Sequence, residues 1–142
     1  MQLTSRLLTL LDRLSAPATV YAHCDLPCGV YDPAQARIEA ESVKATMEKF
    51  NASSDEVFKQ RAIVIKEERA DLVKHHLWVL WTDYFKPPHF EKYPQLSTLF
   101  NEATKLAGGG GGTKSSEDPA VADQLLAKID EITKIFWETK QS

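Results

Sequence analysis

The chain has 142 residues, of which 43% are hydrophobic and 26% charged, a size and balance that suit one domain with a core of its own. A formal charge of -3 excludes a global basic field for nucleic acid. No apolar run is long enough to span a membrane, and an anionic substrate would have to find positive charge locally.

Residues 1–22 differ in kind from the rest of the chain. Leu3, Leu7, Leu10, Leu11 and Leu14 recur at helical spacing and predict a short amphipathic helix that Pro17 ends. Val20-Tyr21-Ala22 loosely resembles an export cleavage site, but Asp12 and Arg13 interrupt the apolar stretch and argue against secretion. The next segment, His23-Cys24-Asp25-Leu26-Pro27-Cys28-Gly29-Val30-Tyr31-Asp32-Pro33, holds both cysteines of the chain.

Asp32-Pro33 then reads as a helix start, with an N-cap followed by proline in the first turn. Ala36, Ala40, Val43, Met47 and Phe50 form its inner stripe, and it ends near Asn51. A second helix is predicted from Ser53-Ser54-Asp55 to about Phe85, with a stripe of Phe58, Ala62, Ile65, Arg69, Leu72, His76 and Val79; Pro87-Pro88 stops it. A third follows Tyr93-Pro94 and presents Leu96, Leu99, Phe100, Ala103 and Leu106. Gly108 to Gly112, with Thr113 to Ser116, reads as a flexible connection inside the domain. Asp118-Pro119 starts the last helix, whose stripe is Ala122, Leu125, Ile129, Ile132 and Phe136. The expectation is an all-α fold: an antiparallel four-helix bundle over residues 33–140, preceded by a hook over 23–31 and the helical leader over 1–22.

The chemistry sits in the hook. Two thiols three residues apart, with an imidazole beside them, can converge on one soft or borderline metal: zinc, copper(I), nickel or an iron–sulfur centre. Pro27 and Gly29 flank Cys28 and suit a tight turn. Zinc ordinarily takes four side-chain ligands, and three are present. If the chain were cut before His23, the new amine and the Cys24 amide would complete a planar set of two nitrogens and two sulfurs, which fits nickel(II). A disulfide is the plainer alternative, but it is uncommon in reducing compartments.

The hook string, together with the helices after it, resembles that of the nickel-containing superoxide dismutases. The resemblance implies a superoxide-dismutating enzyme with a nickel ion held by His23, Cys24 and Cys28, made with a leader that a protease removes to expose the His23 amine. It implies a cytoplasmic homohexamer, with superoxide as substrate and neither membrane nor nucleic acid as partner. Tyr31 and Tyr84 match tyrosines that line the approach to the metal, and Asp25 matches a residue that holds the hook. Glu39 and Arg69 match partners that orient the His23 imidazole. Lys86 could attract an anion locally. Without the resemblance, a non-catalytic helical protein that binds or carries metal is the alternative. His76 reads as an interior or interface residue, His75 and His89 as surface residues, and Trp78, Trp81 and Trp137 as core or subunit contacts.

Overall fold

The structure is a computed structural model and describes residues 28–141; the leader helix and His23, Cys24 and Asp25 lie outside that range. Five α-helices follow in order: α1 Ala34–Ala52, α2 Glu56–Val79, α3 Pro87–Lys92, α4 Leu96–Leu106 and α5 Pro119–Lys140. Three of them start on the predicted aspartates. The Asp32 carboxylate accepts the Ala34 N–H at 2.9 Å, Asp55 accepts those of Val57 and Phe58, and Asp118 accepts that of Ala120 at 3.0 Å, each satisfying donors that a helix start leaves orphaned.

The four longer helices form an antiparallel bundle. α1 packs on α2 and α5, α5 on α4, and α4 on α2, closing a ring. The α1–α5 ion pairs run Arg37–Asp130 and Lys44–Asp123, so the two helices point in opposite senses. Lys128 of α5 likewise reaches back to Glu102 of α4. The main core gathers Leu77, Leu80, Phe85, Leu96, Phe100, Leu125, Ile129, Ile132 and Phe136, with Ala36 and Ala40 beneath α1. A smaller cluster of Val43, Met47, Ala70 and Ala122 fills the other end.

The stripes expected on α1, α4 and α5 are buried, save that Phe50 and Leu106 are half-covered. The α2 stripe is not. Phe58 and Ile65 are exposed, and the buried face is Ala62, Lys66, Ala70, Val73 and Leu77. The larger apolar residues suggested the wrong face. The real one uses alanines: Ala70 packs with Val43 and Met47 of α1, while Ala36 and Ala40 of α1 join the cluster that holds Val73 and Leu77.

Helix α2 does not run regularly to Phe85. Leu80–Tyr84 forms a π-helical turn, closed by the Phe85 N–H donating to the Leu80 carbonyl at 2.9 Å. A π turn holds one residue more than an α turn. Leu80 and Phe85, five apart and out of phase for an α-helix, are thereby both buried. Pro87-Pro88 ends this helix as expected, but it also opens α3, since proline in a first helical turn has no N–H to lose.

The glycine-rich connection is packed at both ends and open in the middle, where Gly109, Gly110 and Gly111 are exposed. Ala107, Gly108, Gly112 and Thr113 are buried, and the Thr113 N–H donates to the Leu106 carbonyl at 2.7 Å. A Cβ on Gly112 would collide with the carbonyl oxygens of Lys105 and Leu106, so this position needs glycine for space. Lys66 reaches across from α2. Its side chain is 1% exposed, and its ammonium meets Glu117 Oε1 at 2.6 Å and the Ser116 carbonyl at 2.7 Å.

Candidate metal centre

Cys28 is exposed, at the start of the strap that leads into α1. Gly29 follows with φ +73°, the left-handed conformation in which a side chain would be strained. Asp32 anchors the strap to the first turn of α1. An exposed thiol on a strap that is itself tied to a helix is a suitable soft donor for nickel. His23 and Cys24, the other expected ligands, lie outside the described residues.

Further along the strap, Tyr31 is half-buried against the core and meets Tyr84, their ring centroids 5.6 Å apart. Two of the expected site residues thus come together, although 53 positions separate them in the sequence. Tyr84 owes its place to the π turn, which it ends. Its ring lies 4.4 Å from Phe136 and 5.0 Å from Phe85. His89 stacks on it at 5.8 Å, inclined by 18°. The Lys140 ammonium sits 5.1 Å from its centroid, a cation over an electron-rich face. Its hydroxyl is 2.7 Å from that of Thr139.

His89 is therefore not simply a surface residue. It is half-buried, and its Nδ1 accepts the Lys86 backbone N–H at 3.1 Å, which ties the start of α3 to the tyrosine. Lys86 is exposed beside it. No ion pair among the described residues involves Lys86 or Lys140, so this corner offers positive charge on a chain of net negative charge.

Glu39 and Arg69 do form the expected pair, with Arg69 Nη1 3.2 Å from Glu39 Oε2. It bridges α1 and α2 at the edge of their contact, with the carboxylate largely covered and the guanidinium about a third exposed. It is not part of the tyrosine cluster. Arg69 lies fifteen residues before Tyr84 on one helix, roughly 22 Å at 1.5 Å per residue. The remaining aromatics divide: Trp81 stacks on Phe100 at 5.8 Å, whereas Trp78 and Trp137 are nearly half exposed. His75 is exposed and His76 half-buried, their rings edge to face. Sequence reading missed His89, Thr139 and Lys140, because polar residues near helix ends look like ordinary solvent-facing ones until the partner ring is seen.

A family model for nickel-containing superoxide dismutase matches residues 18–140. The chain belongs to that family. It is 63% identical over 134 residues to the nickel superoxide dismutase of Streptomyces seoulensis and 60% identical over the same length to that of Streptomyces coelicolor; each match takes in 94% of this chain and all of the relative. A crystal structure of a nickel-containing superoxide dismutase with nickel ligation of the oxidised state is 64% identical, with a TM-score of 0.80, and its whole chain matches 84% of this one. A native nickel superoxide dismutase structure matches the same share at 61% identity with a TM-score of 0.81.

Proposed function

We propose that this chain is a superoxide dismutase with nickel as its resident cofactor, turning two superoxide ions and two protons into dioxygen and hydrogen peroxide. The observation that carries this is the match to nickel superoxide dismutases at 60–64% identity along the bundle that bears the hook. Cys24 and Cys28 would supply thiolate sulfur to nickel, the His23 amine and the Cys24 amide nitrogen, and the His23 imidazole a further nitrogen. Nickel so ligated supplies one-electron chemistry between its +2 and +3 states, at a potential that thiolate donors bring into reach.

The rest is work for the protein. Superoxide is an anion, and Lys86 and Lys140 give its approach a local attraction that the net charge does not. Tyr31 and Tyr84, ring against ring, narrow that approach to small molecules. Peroxide oxidises thiolates, so Cys24 and Cys28 would need nickel to keep their sulfur engaged during turnover. Glu39 and Arg69 support a further role, as partners that orient an imidazole; turnover per bound nickel in Arg69→Ala reads it, and unchanged turnover returns the pair to bundle stability.

Three parts of the proposal concern the form in which the enzyme works. First, residues 1–22 are a leader to be removed. Full-length curated relatives match 94% of this chain, while the complete solved chains match 84%, a difference in the direction that a shorter mature chain requires. Second, the enzyme works as a homohexamer. Ile38, Val57, Val64, Trp78 and Trp137 are each 46–67% exposed, large apolar side chains of the kind that subunit contacts cover. Sedimentation measures the assembly directly, and a monomer at micromolar concentration rejects it. Third, the protein stays in the cytoplasm, given the charges that interrupt the leader; fractionation of cells checks this, and recovery outside the cell overturns it.

The decisive experiment compares full-length protein with protein beginning at His23, each given nickel under reducing conditions. An internal His23 has a peptide nitrogen, whose lone pair is shared with a carbonyl. A terminal one has an amine that titrates at about 7.7–8.0. The trimmed form should bind one nickel and dismutate superoxide, and the full-length form should not. Equal activity of the two rejects the amine ligand; nickel without turnover in the trimmed form favours a metal carrier.

A further inference from the structure

We infer that Thr139, in the last turn of α5, is a positioning residue for Tyr84 that fixes the direction of its hydroxyl proton. The inference rests on the proposed place of Tyr84 at the approach to the metal.

A threonine hydroxyl has one proton to give. The Thr139 hydroxyl lies 2.7 Å from the Phe136 carbonyl oxygen, three residues back on its own helix, and a carbonyl can only accept. The proton of Thr139 is therefore committed to Phe136. The Tyr84 oxygen lies 2.7 Å from the same Thr139 oxygen, and with that proton committed, Tyr84 must be the donor. A directed chain results: Tyr84 O–H to Thr139 O–H to Phe136 C=O.

The tyrosine cannot easily escape it. Phe136, Phe85 and His89 hold its ring on three sides, and the Lys140 ammonium lies over it. With ring and hydroxyl both fixed, the Tyr84 oxygen shows its remaining faces as lone pairs. A molecule that carries a proton, as hydrogen peroxide does, can donate to it. A bare anion receives no hydrogen bond from it. Thr139 thus makes Tyr84 an acceptor rather than a donor at the approach to the site, a setting that discriminates between an anionic substrate and a protonated product.

Removing the acceptor should release the proton. Thr139→Val keeps the shape of the side chain and lacks the oxygen; Thr139→Ser keeps the oxygen. In nickel-free protein with tyrosine labelled at ¹³Cζ, the Tyr84 resonance should move in Thr139→Val and return in Thr139→Ser. In the nickel-loaded protein beginning at His23, azide should inhibit Thr139→Val more tightly, by roughly two- to tenfold, the worth of one neutral hydrogen bond. Azide should inhibit Thr139→Ser as it does the unaltered enzyme. The double variant Tyr84→Phe/Thr139→Val should match Tyr84→Phe alone, since Thr139 acts through a hydroxyl then absent. If Thr139→Val does not fold, Thr139→Ala takes its place. An unmoved ¹³Cζ resonance overturns the hydrogen-bond chain. A gain in azide affinity that persists in the double variant overturns the route through Tyr84. If Tyr84→Phe alone alters neither azide inhibition nor dismutation, the placement of Tyr84 at the approach is what fails, and the ¹³Cζ result judges the hydrogen bond separately from that placement.

Discussion

The two ends of α5 are held in opposite ways. At its start, Lys66 places a buried ammonium among a carboxylate and two backbone carbonyls, and Gly112 is wedged where no Cβ fits. At its finish, about 30 Å away at 1.5 Å per residue, Thr139 and Lys140 meet Tyr84 among stacked rings, beside the strap that carries Cys28. The first end closes around a buried charge and a glycine that has no room for a β-carbon. The second has exposed cations and polar atoms near its surface, and an irregular helical turn. Packing that admits no change suits an end that only has to hold the bundle. An end that receives a small anion has to leave positive charge within reach.

If that division is right, damage at the two ends should separate function from stability. The largest effect belongs to the thiols. Cys24→Ser or Cys28→Ser should abolish nickel binding and dismutation while leaving helical content intact, as metal analysis and circular dichroism would show. Stoichiometric nickel in either variant sinks the ligand assignment. The next effect lies at the closed end and has the opposite character. Lys66→Met strips the counter-charge from Glu117 and two carbonyls, at a cost of roughly 3 kcal/mol. Gly112→Ala forces the loop away from the Lys105 carbonyl and should cost about 2 kcal/mol. Denaturant unfolding reads both, and turnover per bound nickel in the folded fraction should stay near that of the unaltered enzyme. A fall in that turnover would mean that the two ends are coupled.

The same division governs how far the sequence can be read. The helix starts at Asp32, Asp55 and Asp118 are local signals, and all three form as written. So do the stripes of α1, α4 and α5, where large apolar residues face inward. The hook crowds its ligand types into a few residues, which is a signal that sequence alone can carry, and Cys28 is the one of them within the described residues. What escapes is whatever depends on a partner distant in sequence. Nothing near Lys66 says that Glu117 and the Ser116 carbonyl will surround it, so periodicity turns its helix toward the side of Phe58 and Ile65. The five-residue step from Leu80 to Phe85 hides a π turn, because periodicity assumes the α repeat. A run of five glycines reads as slack chain, since composition alone cannot show that Gly112 is packed against carbonyls.

The smallest expected effect is at the seam between the ends, where Lys44 of α1 meets Asp123 of α5 at 2.7 Å. The hydrogen bond that Lys44 donates to Asp123 raises its ammonium above the ordinary value of 10.5; burial opposes this, and the charges of Asp123 and then Glu48 add to it. A raised lysine stabilises the fold fully at pH below its unfolded value and loses that contribution as pH climbs through the folded one. The advantage of the unaltered chain over Lys44→Gln should therefore be constant from pH 6 to 9 and shrink at strongly alkaline pH. Both groups are solvated, so the advantage should be small throughout and smaller still in molar salt, where screening is short-ranged. Melting curves of the two proteins across pH and salt measure it. If the difference instead grew on the alkaline side, the seam would draw its stability from something other than this cation. If it survived molar salt at full size, packing of the lysine stem rather than its charge would be holding α1 to α5.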